Sequence, residues 1–216
     1  MWHDSQVMRR PVAPESARQS ATEQPVPNSA RTAKLPVASA RSGTLQPPGT
    51  LWTVGHSTHP IEEFLDMLTA HGITRIVDVR RFAGSRTFPQ FNPAVLERSL
   101  GDVGISYTPL PELGGRRKSL PDTAHVAWRN ESFRGYADYM DTPEFAAAAE
   151  SLATLARADR VADMCSEAVW WRCHRSMIAD YFKAYGWEVL HIMGAGDAKE
   201  HPFTPVAQVV DGQLTY

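Results

Sequence analysis

Residues 49–216 are predicted to form a single α/β domain: a mostly parallel sheet of about five strands with helices on both faces. Three observations predict this fold. Short apolar segments alternate with segments whose apolar residues recur at helical spacing, which is typical of βαβ units. β-Branched residues run nearly unbroken through the segment 73–79, as expected of a strand covered on both faces. At the C-terminus, Asp211-Gly212 separates two short runs, which predicts a small hairpin.

The first half of the domain shows three strand patterns and two helix patterns. The apolar residues at 61, 64, 65 and 68 share one face of a helix, and Pro60 and Gly72 suit its beginning and its end. Asn92-Pro93 is a typical pair for the start of the next helix. The predicted elements are strands over 51–54, 73–79 and 105–110, one helix from Ile61 to about Gly72, and one from Pro93 through Leu100.

A long polar connection over 111–131 leads into the second half. Asp141-Thr142-Pro143 is typical of a helix start, and Gly186 follows a helix whose apolar residues again share one face. The predicted elements are helical material through Met140, a helix from Pro143 through Leu155, a helix from near Cys173 to Tyr185, strands over 161–164 and 187–192, and hairpin strands over 206–210 and 214–216.

The N-terminal segment, residues 1–48, is predicted to be a disordered tail. It holds seven of the sixteen prolines and shows no apolar periodicity, so burial cannot offset the entropy of ordering it. Its six basic and three acidic residues are dispersed, which favours a plain solvated extension over an arm that binds nucleic acid. The whole chain has a formal net charge of -2, so no general basic field attracts nucleic acid.

Composition also limits the class of protein. No run of about 18 apolar residues is present, and the first residues, MWHDSQVMRR, lack the apolar core of a secretory signal. Two cysteines cannot form a disulfide framework. We therefore expect a soluble, cytoplasmic protein without a membrane partner, and the sequence leaves its oligomeric state open.

Polar residues follow the predicted strands at the ends where a parallel sheet binds its ligands. We expect them to form one site. The candidate catalytic residues are Cys165, Cys173, His174, His56 and Glu112. The candidate substrate-binding residues are Ser57, Asp78, Arg80, Arg86, Gly114, Gly115, Glu167 and Arg175.

The densest cluster spans residues 165–175. A helix start offers free backbone N–H groups and a positive dipole end, which stabilise a thiolate or bind a phosphate. Arg175 adds a guanidinium suited to phosphate or carboxylate. A thiol at a strand end followed by an arginine on the next helix resembles the general layout of phosphatase and rhodanese loops, although those loops are shorter. The alternative for Cys165 is a small buried residue that ends a core strand.

Metal and redox chemistry are less favoured at this cluster. Zinc binding typically uses cysteines two to four residues apart, whereas Cys165 and Cys173 are eight apart and no second pair exists. The spacing also differs from the C-x-x-C motif of redox centres. No metal and no cofactor is predicted.

The other motifs each have a structural alternative. In the turn 55–58 the side chains either contact phosphate or cap a helix. Asp78 either pairs with an arginine or faces a ligand, and the loop 82–91, which contains Arg86, either binds a nucleobase or forms its own small core. The segment 112–118 is either a lid over an anionic substrate or a solvated turn.

Several of these motifs together resemble one protein family, the domain of unknown function 488. They are TVGHST at 53–58, VDVRRFAGSRTFPQFN at 77–92, LPELGGRR at 110–117, MCSEAVWWRCHR at 164–175, HPFTP at 201–205 and the final LTY. The resemblance covers nearly all of residues 51–216. It implies a compact α/β domain whose CHR motif, residues 173–175, is the suspected site, and it implies no reaction. Ser166 stands where family members commonly have alanine.

Two functional hypotheses follow. The first is an enzyme acting on a phosphate-bearing small molecule, a nucleotide or a nucleic acid, with a cysteine nucleophile, a histidine acid/base and arginines that bind the anion. The second is a non-catalytic module that binds a ligand or nucleic acid in the same crevice, with both cysteines packed in the core.

Overall fold

The computed structural model describes residues 48–216 and confirms the predicted fold class. The prediction that residues 1–48 are disordered falls, except for Pro48, on residues outside the part that the structure describes. The helices are α1 Ile61–Ala70, α2 Pro93–Asp102, α3 Glu131–Met140, α4 Pro143–Ala158 and α5 Arg175–Ala184. The strands are β1 Thr50–Gly55, β2 Arg75–Asp78, β3 Ser106–Pro109, β4 Val161–Cys165, β5 Glu188–Ile192, β6 Lys199–Glu200, β7 Gln208–Val210 and β8 Gln213–Thr215.

The first six strands form one sheet in the order β3-β2-β4-β1-β5-β6. The first five are parallel, and β6, which the sequence does not predict, pairs antiparallel with β5. Strands β7 and β8 form the predicted hairpin as a separate antiparallel pair. All five parallel strands therefore end at one edge of the sheet, as the site prediction requires.

Helices cover both faces of the sheet. Side chains alternate along each strand, so Val54, Ile76 and Met164 pack against α1 and α2, whereas Val77 and Val161 face α3, α4 and α5. A fully buried side chain of this kind contributes about 1.5–3 kcal/mol. Burial on both faces explains why the strands are apolar at consecutive positions.

Three polar residues interrupt this pattern on the face that α5 covers. Thr53 of β1 lies opposite Asp163 of β4 on one side and opposite His191 of β5 on the other. All three are buried. A polar row therefore crosses the three central strands beneath α5.

Helix starts agree with the sequence except in two details. Thr142 caps α4 by accepting a hydrogen bond from the Phe145 N–H, as predicted. Asn92 precedes α2, but its side chain accepts from the Ser85 N–H instead of capping the helix. Helix α5 begins at Arg175 because Cys173 is extended, with φ -139° and ψ 168°, and ends a short 3-10 turn over Trp170–Arg172.

Within residues 48–216, no helix combines the length and the apolar character that crossing a membrane requires.

Candidate functional site

A cleft of about 370 Å³ opens at the carboxyl edge of the sheet, where β2 and β4 end. Four arginines line it, and Glu167 is the only carboxylate among its described lining residues. The lining consists of Arg80, Arg81, Phe82, Gly115, Arg116, Asn130, Ser132, Phe133, Cys165, Ser166, Glu167, Arg172, Cys173 and His174. The excess of positive charge suits an anionic ligand.

The two cysteines meet on the wall of this cleft. Cys165 ends β4, the loop after it turns back, and the Sγ atoms of Cys165 and Cys173 come within 3.0 Å of each other. Both are free thiols and both are largely buried. They lie side by side although eight residues separate them in the sequence.

Their surroundings favour Cys173 as the thiolate of the pair. The Cys165 thiol donates a hydrogen bond that lowers the pKa of Cys173, and the charge and backbone N–H of Arg175 act in the same direction. The same hydrogen bond, together with burial, holds the pKa of Cys165 well above its ordinary value. Of the two thiols, Cys173 is therefore the one that loses its proton more readily, with Cys165 as its hydrogen-bond donor.

Arg175 lies behind the cysteines and not in the cleft. It is 1% exposed, and its Nη2 donates to the Glu167 carbonyl oxygen at 3.0 Å and more weakly to that of Ala168. Its Nε has no hydrogen-bond partner among the described residues. A buried guanidinium is costly unless an anion lies near it, and a thiolate at Cys173 would be such an anion.

Asp163 is the second unpartnered group beneath the site. It is fully buried, and neither carboxylate oxygen has a hydrogen-bond partner among residues 48–216. Burial raises the pKa of Asp163 to about 8, and the positive charge of Arg175 limits the rise. Asp163 is therefore neutral below this pH and supplies no negative charge to balance Arg175.

His174 lines the cleft next to the thiol pair. Its Nε2 is buried and has no hydrogen-bond partner in the described part of the chain. Burial lowers the pKa of His174 to about 4, so the ring is neutral near pH 7. A Cβ at Gly115 would lie 2.8 Å from the His174 Nδ1, so glycine is needed for this close approach.

His56 and Asp78 lie one layer behind the cleft and hold Arg80. The Arg80 guanidinium donates to both carboxylate oxygens of Asp78, at 2.8 and 2.6 Å, and to the Phe91 carbonyl. The His56 Nδ1–H donates to the Ser57 carbonyl, so Nε2 accepts from Arg80. Burial and Arg80 lower the pKa of His56 to about 4. Both ring nitrogens of His56 are therefore occupied.

The turn after β1 is shaped by packing against the loop 166–172. A Cβ at Gly55 would lie 1.8 Å from the Glu167 carbonyl oxygen. The next two N–H groups, of His56 and Ser57, donate to the carbonyls of Cys165 and Ser166. Ser57 has φ +48°, a left-handed conformation that is uncommon outside glycine. Gly55 thus holds the cysteine loop in place.

The segment 112–118, proposed above as a lid or a turn, is attached to α3. The Arg117 guanidinium stacks 3.6 Å from the Tyr139 ring centroid and donates to the carbonyls of Glu112 and Gly114. The Tyr139 hydroxyl also donates to the Glu112 carbonyl. Arg116 lies in a left-handed conformation, φ +59°, on the cleft wall.

A second polar cluster lies beside the cleft, and all its groups are paired. The Thr204 N–H and hydroxyl, the His201 Nε2–H and the Tyr216 hydroxyl all donate to Asp180. His201 Nδ1 then accepts from the His191 Nε2–H at 2.9 Å, and His191 Nδ1 accepts from the Thr53 hydroxyl at 2.7 Å. We call this series of hydrogen-bonded side chains the Asp180 chain; its members are Thr53, Asp180, His191, His201, Thr204 and Tyr216.

Trp170 connects the Asp180 chain to the cysteine loop. Its ring stacks on His191, with centroids 4.4 Å apart and planes 3° apart. Burial and the neighbouring His201 lower the pKa of His191 to about 2. The Asp180 chain thus places a neutral imidazole ring, that of His191, against the loop that carries the thiol pair.

The cleft brings together six of the thirteen predicted site residues. They are Arg80, Gly115, Cys165, Glu167, Cys173 and His174. His56, Asp78 and Arg175 support these from behind, and Gly114 packs against Arg81. Ser57, Arg86 and Glu112 are not among the lining residues.

Arg81, Phe82 and Arg116 line the cleft but are not among the predicted site residues. Phe82 is 65% exposed, and the guanidiniums of Arg81 and Arg116 lie 5.7 and 5.8 Å from its ring centroid. The available signal was the repetition of arginine next to a glycine or an aromatic residue in segments 80–82 and 114–117.

In the described part of the chain, no group of three or more His, Cys, Asp or Glu side chains is arranged to hold a metal ion.

Comparisons with known proteins give one match. The family model described as Domain of unknown function DUF488 matches residues 60–182. No curated protein and no solved structure matches the chain. The matched residues include both cysteines, His174, Arg175 and the four arginines of the cleft.

Proposed function

The chain belongs to the family described as Domain of unknown function DUF488, a description that names no activity, and we propose that it is an enzyme using a cysteine thiolate on an anionic, phosphate-bearing substrate. One observation carries the proposal: two thiols 3.0 Å apart open into a cleft lined by four arginines. A thiolate is a strong nucleophile, and guanidiniums bind phosphate oxygens in forked geometry.

Cys173 is the proposed nucleophile. Its sulfur attacks the phosphorus, an S–P bond forms, and the P–O bond to the leaving group breaks. The leaving oxygen takes a proton from water on the open side of the cleft. A second water then hydrolyses the S–P bond, which releases phosphate and restores the thiolate. Cys165 and Arg175 act as positioning residues, because they stabilise the thiolate through its hydrogen bond and its charge.

Arg81, Arg116 and Arg172 are the proposed phosphate-binding residues. Arg80 is engaged by Asp78, whereas none of these three forms an ion pair among the described residues. A hydrogen bond to a charged group contributes about 1.5–3 kcal/mol, and less at an exposed site. Two or three such contacts correspond to affinity for phosphate roughly between millimolar and micromolar.

Alkylation with iodoacetamide tests the proposal. In the full chain, Cys173 is expected to react near neutral pH and Cys165 to stay unreacted, and mass spectrometry of tryptic peptides separates the two. Phosphate and pyrophosphate are expected to slow the reaction at Cys173, and added salt should weaken this protection.

Matched arginine variants give the control. Arg116→Ala and Arg172→Ala should each reduce the protection by phosphate about three- to tenfold, since each removes an exposed charge contact. Arg98→Ala removes an exposed arginine of α2 outside the cleft and should leave it unchanged. Two unreactive cysteines, or a reaction at Cys173 that no phosphate slows, would contradict the proposal.

The exposed aromatic rings favour one alternative, a non-catalytic module for single-stranded nucleic acid. Phe82 is 65% exposed and Trp171 is 55% exposed, next to Arg81 and Arg172 in the sequence. Stacking on such rings contributes about 1–3 kcal/mol per base. Tight binding of an oligonucleotide by a chain with two unreactive thiols, lost in Phe82→Ala, would support this alternative over the enzyme.

A further inference from the structure

We propose that Cys165 and Cys173 form a reversible disulfide, so that the candidate site is also a site of oxidative modification by peroxide. This inference rests on the geometry of the thiol pair and does not depend on the substrate proposed above. It goes beyond the proposed function because the proposed hydrolysis changes the oxidation state of neither sulfur.

The positions of the two sulfurs carry the inference. They lie 3.0 Å apart, which is longer than the S–S bond of about 2.05 Å and within direct reach of one another. The backbone around them is extended at Cys173 and belongs to a strand end at Cys165, so neither residue lies inside a helix. Bond formation therefore requires the two sulfurs to approach by about 1 Å, which we expect a movement of the loop 166–172 to provide.

The pair has unequal roles, as peroxide chemistry requires. Cys173 is the more acidic thiol, for the reasons given above, and it faces the cleft through which a small oxidant enters. Cys165 is protonated and in contact with it. A low-pKa thiol beside a resolving cysteine is the arrangement of redox-responsive sites.

The chemistry balances with hydrogen peroxide as the oxidant. The Cys173 thiolate attacks one oxygen, an S–O bond forms, the O–O bond breaks, and the departing hydroxide takes a proton to become water. The Cys165 sulfur then attacks the resulting sulfenic acid. The S–S bond forms, the S–OH bond breaks, and the hydroxide leaves as water with the proton of Cys165. Two thiols are oxidised by two electrons and one peroxide gives two waters.

The sequence allows a direct test by mass spectrometry on the full chain. Trypsin cleaves after Arg160, Arg172 and Arg175, so the two cysteines fall on the separate peptides VADMCSEAVWWR and CHR. After hydrogen peroxide and quenching with N-ethylmaleimide, these peptides should be joined, with the loss of two hydrogens. Dithiothreitol should separate them and restore two maleimide adducts.

Single-cysteine variants distinguish the pair from ordinary oxidation. In Cys165→Ser, the sulfenic acid at Cys173 has no resolving thiol, so it should accumulate and be trapped by dimedone on the CHR peptide. In Cys173→Ser, Cys165 should remain unoxidised at the same peroxide concentration. Circular dichroism and thermal melting verify that each variant is folded.

The opposite results would overturn the inference. In the first, wild-type Cys173 is oxidised to sulfinic acid and the two peptides are never joined. In the second, the disulfide forms only between two separate protein molecules. In the third, Cys165 in Cys173→Ser is oxidised as readily as Cys173 in Cys165→Ser. Protection of Cys173 by phosphate is measured separately on the reduced protein. A chain that forms the disulfide but shows no such protection would refute the proposed function and leave this inference standing.

Discussion

The cysteine cleft and the Asp180 chain both place buried polar groups under α5, and they differ in how many of their hydrogen bonds are made. In the Asp180 chain every donor named above meets an acceptor, from Thr53 through two histidines to a carboxylate that accepts four hydrogen bonds. Beneath the cleft, both oxygens of Asp163 and the Nε of Arg175 have no partner among the described residues.

This difference separates structural from chemical roles. A buried network whose hydrogen bonds are all made keeps the packing specific and rigid, and its groups have no unused donor or acceptor for a ligand. Unpartnered buried groups are costly and are concentrated where a protein uses them. The two regions therefore share residue types but differ in their contacts: the Asp180 chain packs against Trp170 and binds Tyr216, whereas the cleft has two free thiols beside unpartnered buried groups.

The largest expected effect is on the Asp180 chain. Asp180→Ala removes the acceptor of four hydrogen bonds and leaves buried donors unpaired, so the free energy of unfolding should fall by about 3–5 kcal/mol. Urea unfolding measures this. As a control, Asp141→Ala removes a 70% exposed carboxylate beside His125 and should cost less than about 1 kcal/mol. Equal losses of stability in the two variants would mean that the buried Asp180 chain stabilises the fold no more than an exposed carboxylate does.

The next effect concerns the pH dependence that Asp163 introduces. Its pKa is raised by burial from 3.8 to about 8, so below pH 3.8 Asp163 is protonated in both states and does not itself reduce stability. As the pH rises towards 8, the unfolded chain releases the proton while the folded chain retains it, and stability is lost. The loss is of the order of a few kcal/mol.

Asp163→Asn keeps the shape and removes the titration. Its free energy of unfolding should fall less between pH 4 and pH 8 than that of the wild type, in chemical unfolding at each pH. The buried histidines, with lowered pKa values, destabilise both proteins alike at acid pH, so the difference between the two curves isolates Asp163. Parallel curves would mean that Asp163 is ionised and paired, as in the Asp180 chain.

The smallest effect is on thiol reactivity. Arg175→Gln removes the buried positive charge beside Cys173, so the pKa of that thiol should rise, and its alkylation rate at pH 7 should fall by up to about tenfold for each pKa unit. The pH profile of alkylation measures the shift, and Arg175→Lys, which keeps the charge, should show a smaller one. An unchanged profile in folded Arg175→Gln would assign Arg175 a purely structural role.

Much of the fold was predictable from local patterns. The spacing of apolar residues gave all five parallel strands, and Pro143 and Gly72 mark element ends as the sequence predicts. Strand β6 was not predictable, because two exposed residues carry no apolar pattern and pair only with β5. Helix α5 begins two residues later than predicted, since Cys173 belongs to the loop that brings its sulfur to Cys165.

The sequence by itself determined the alternation of strands and helices, and hence which segments end at the carboxyl edge of the sheet. Backbone periodicity is a local property and is readable without the fold. Only the tertiary structure decided which side chains face the cleft. Arg175 turns inward to the Glu167 carbonyl, His56 is occupied by Arg80, and Cys165 reaches Cys173. Such pairings depend on distances between segments far apart in the chain, which no local pattern encodes.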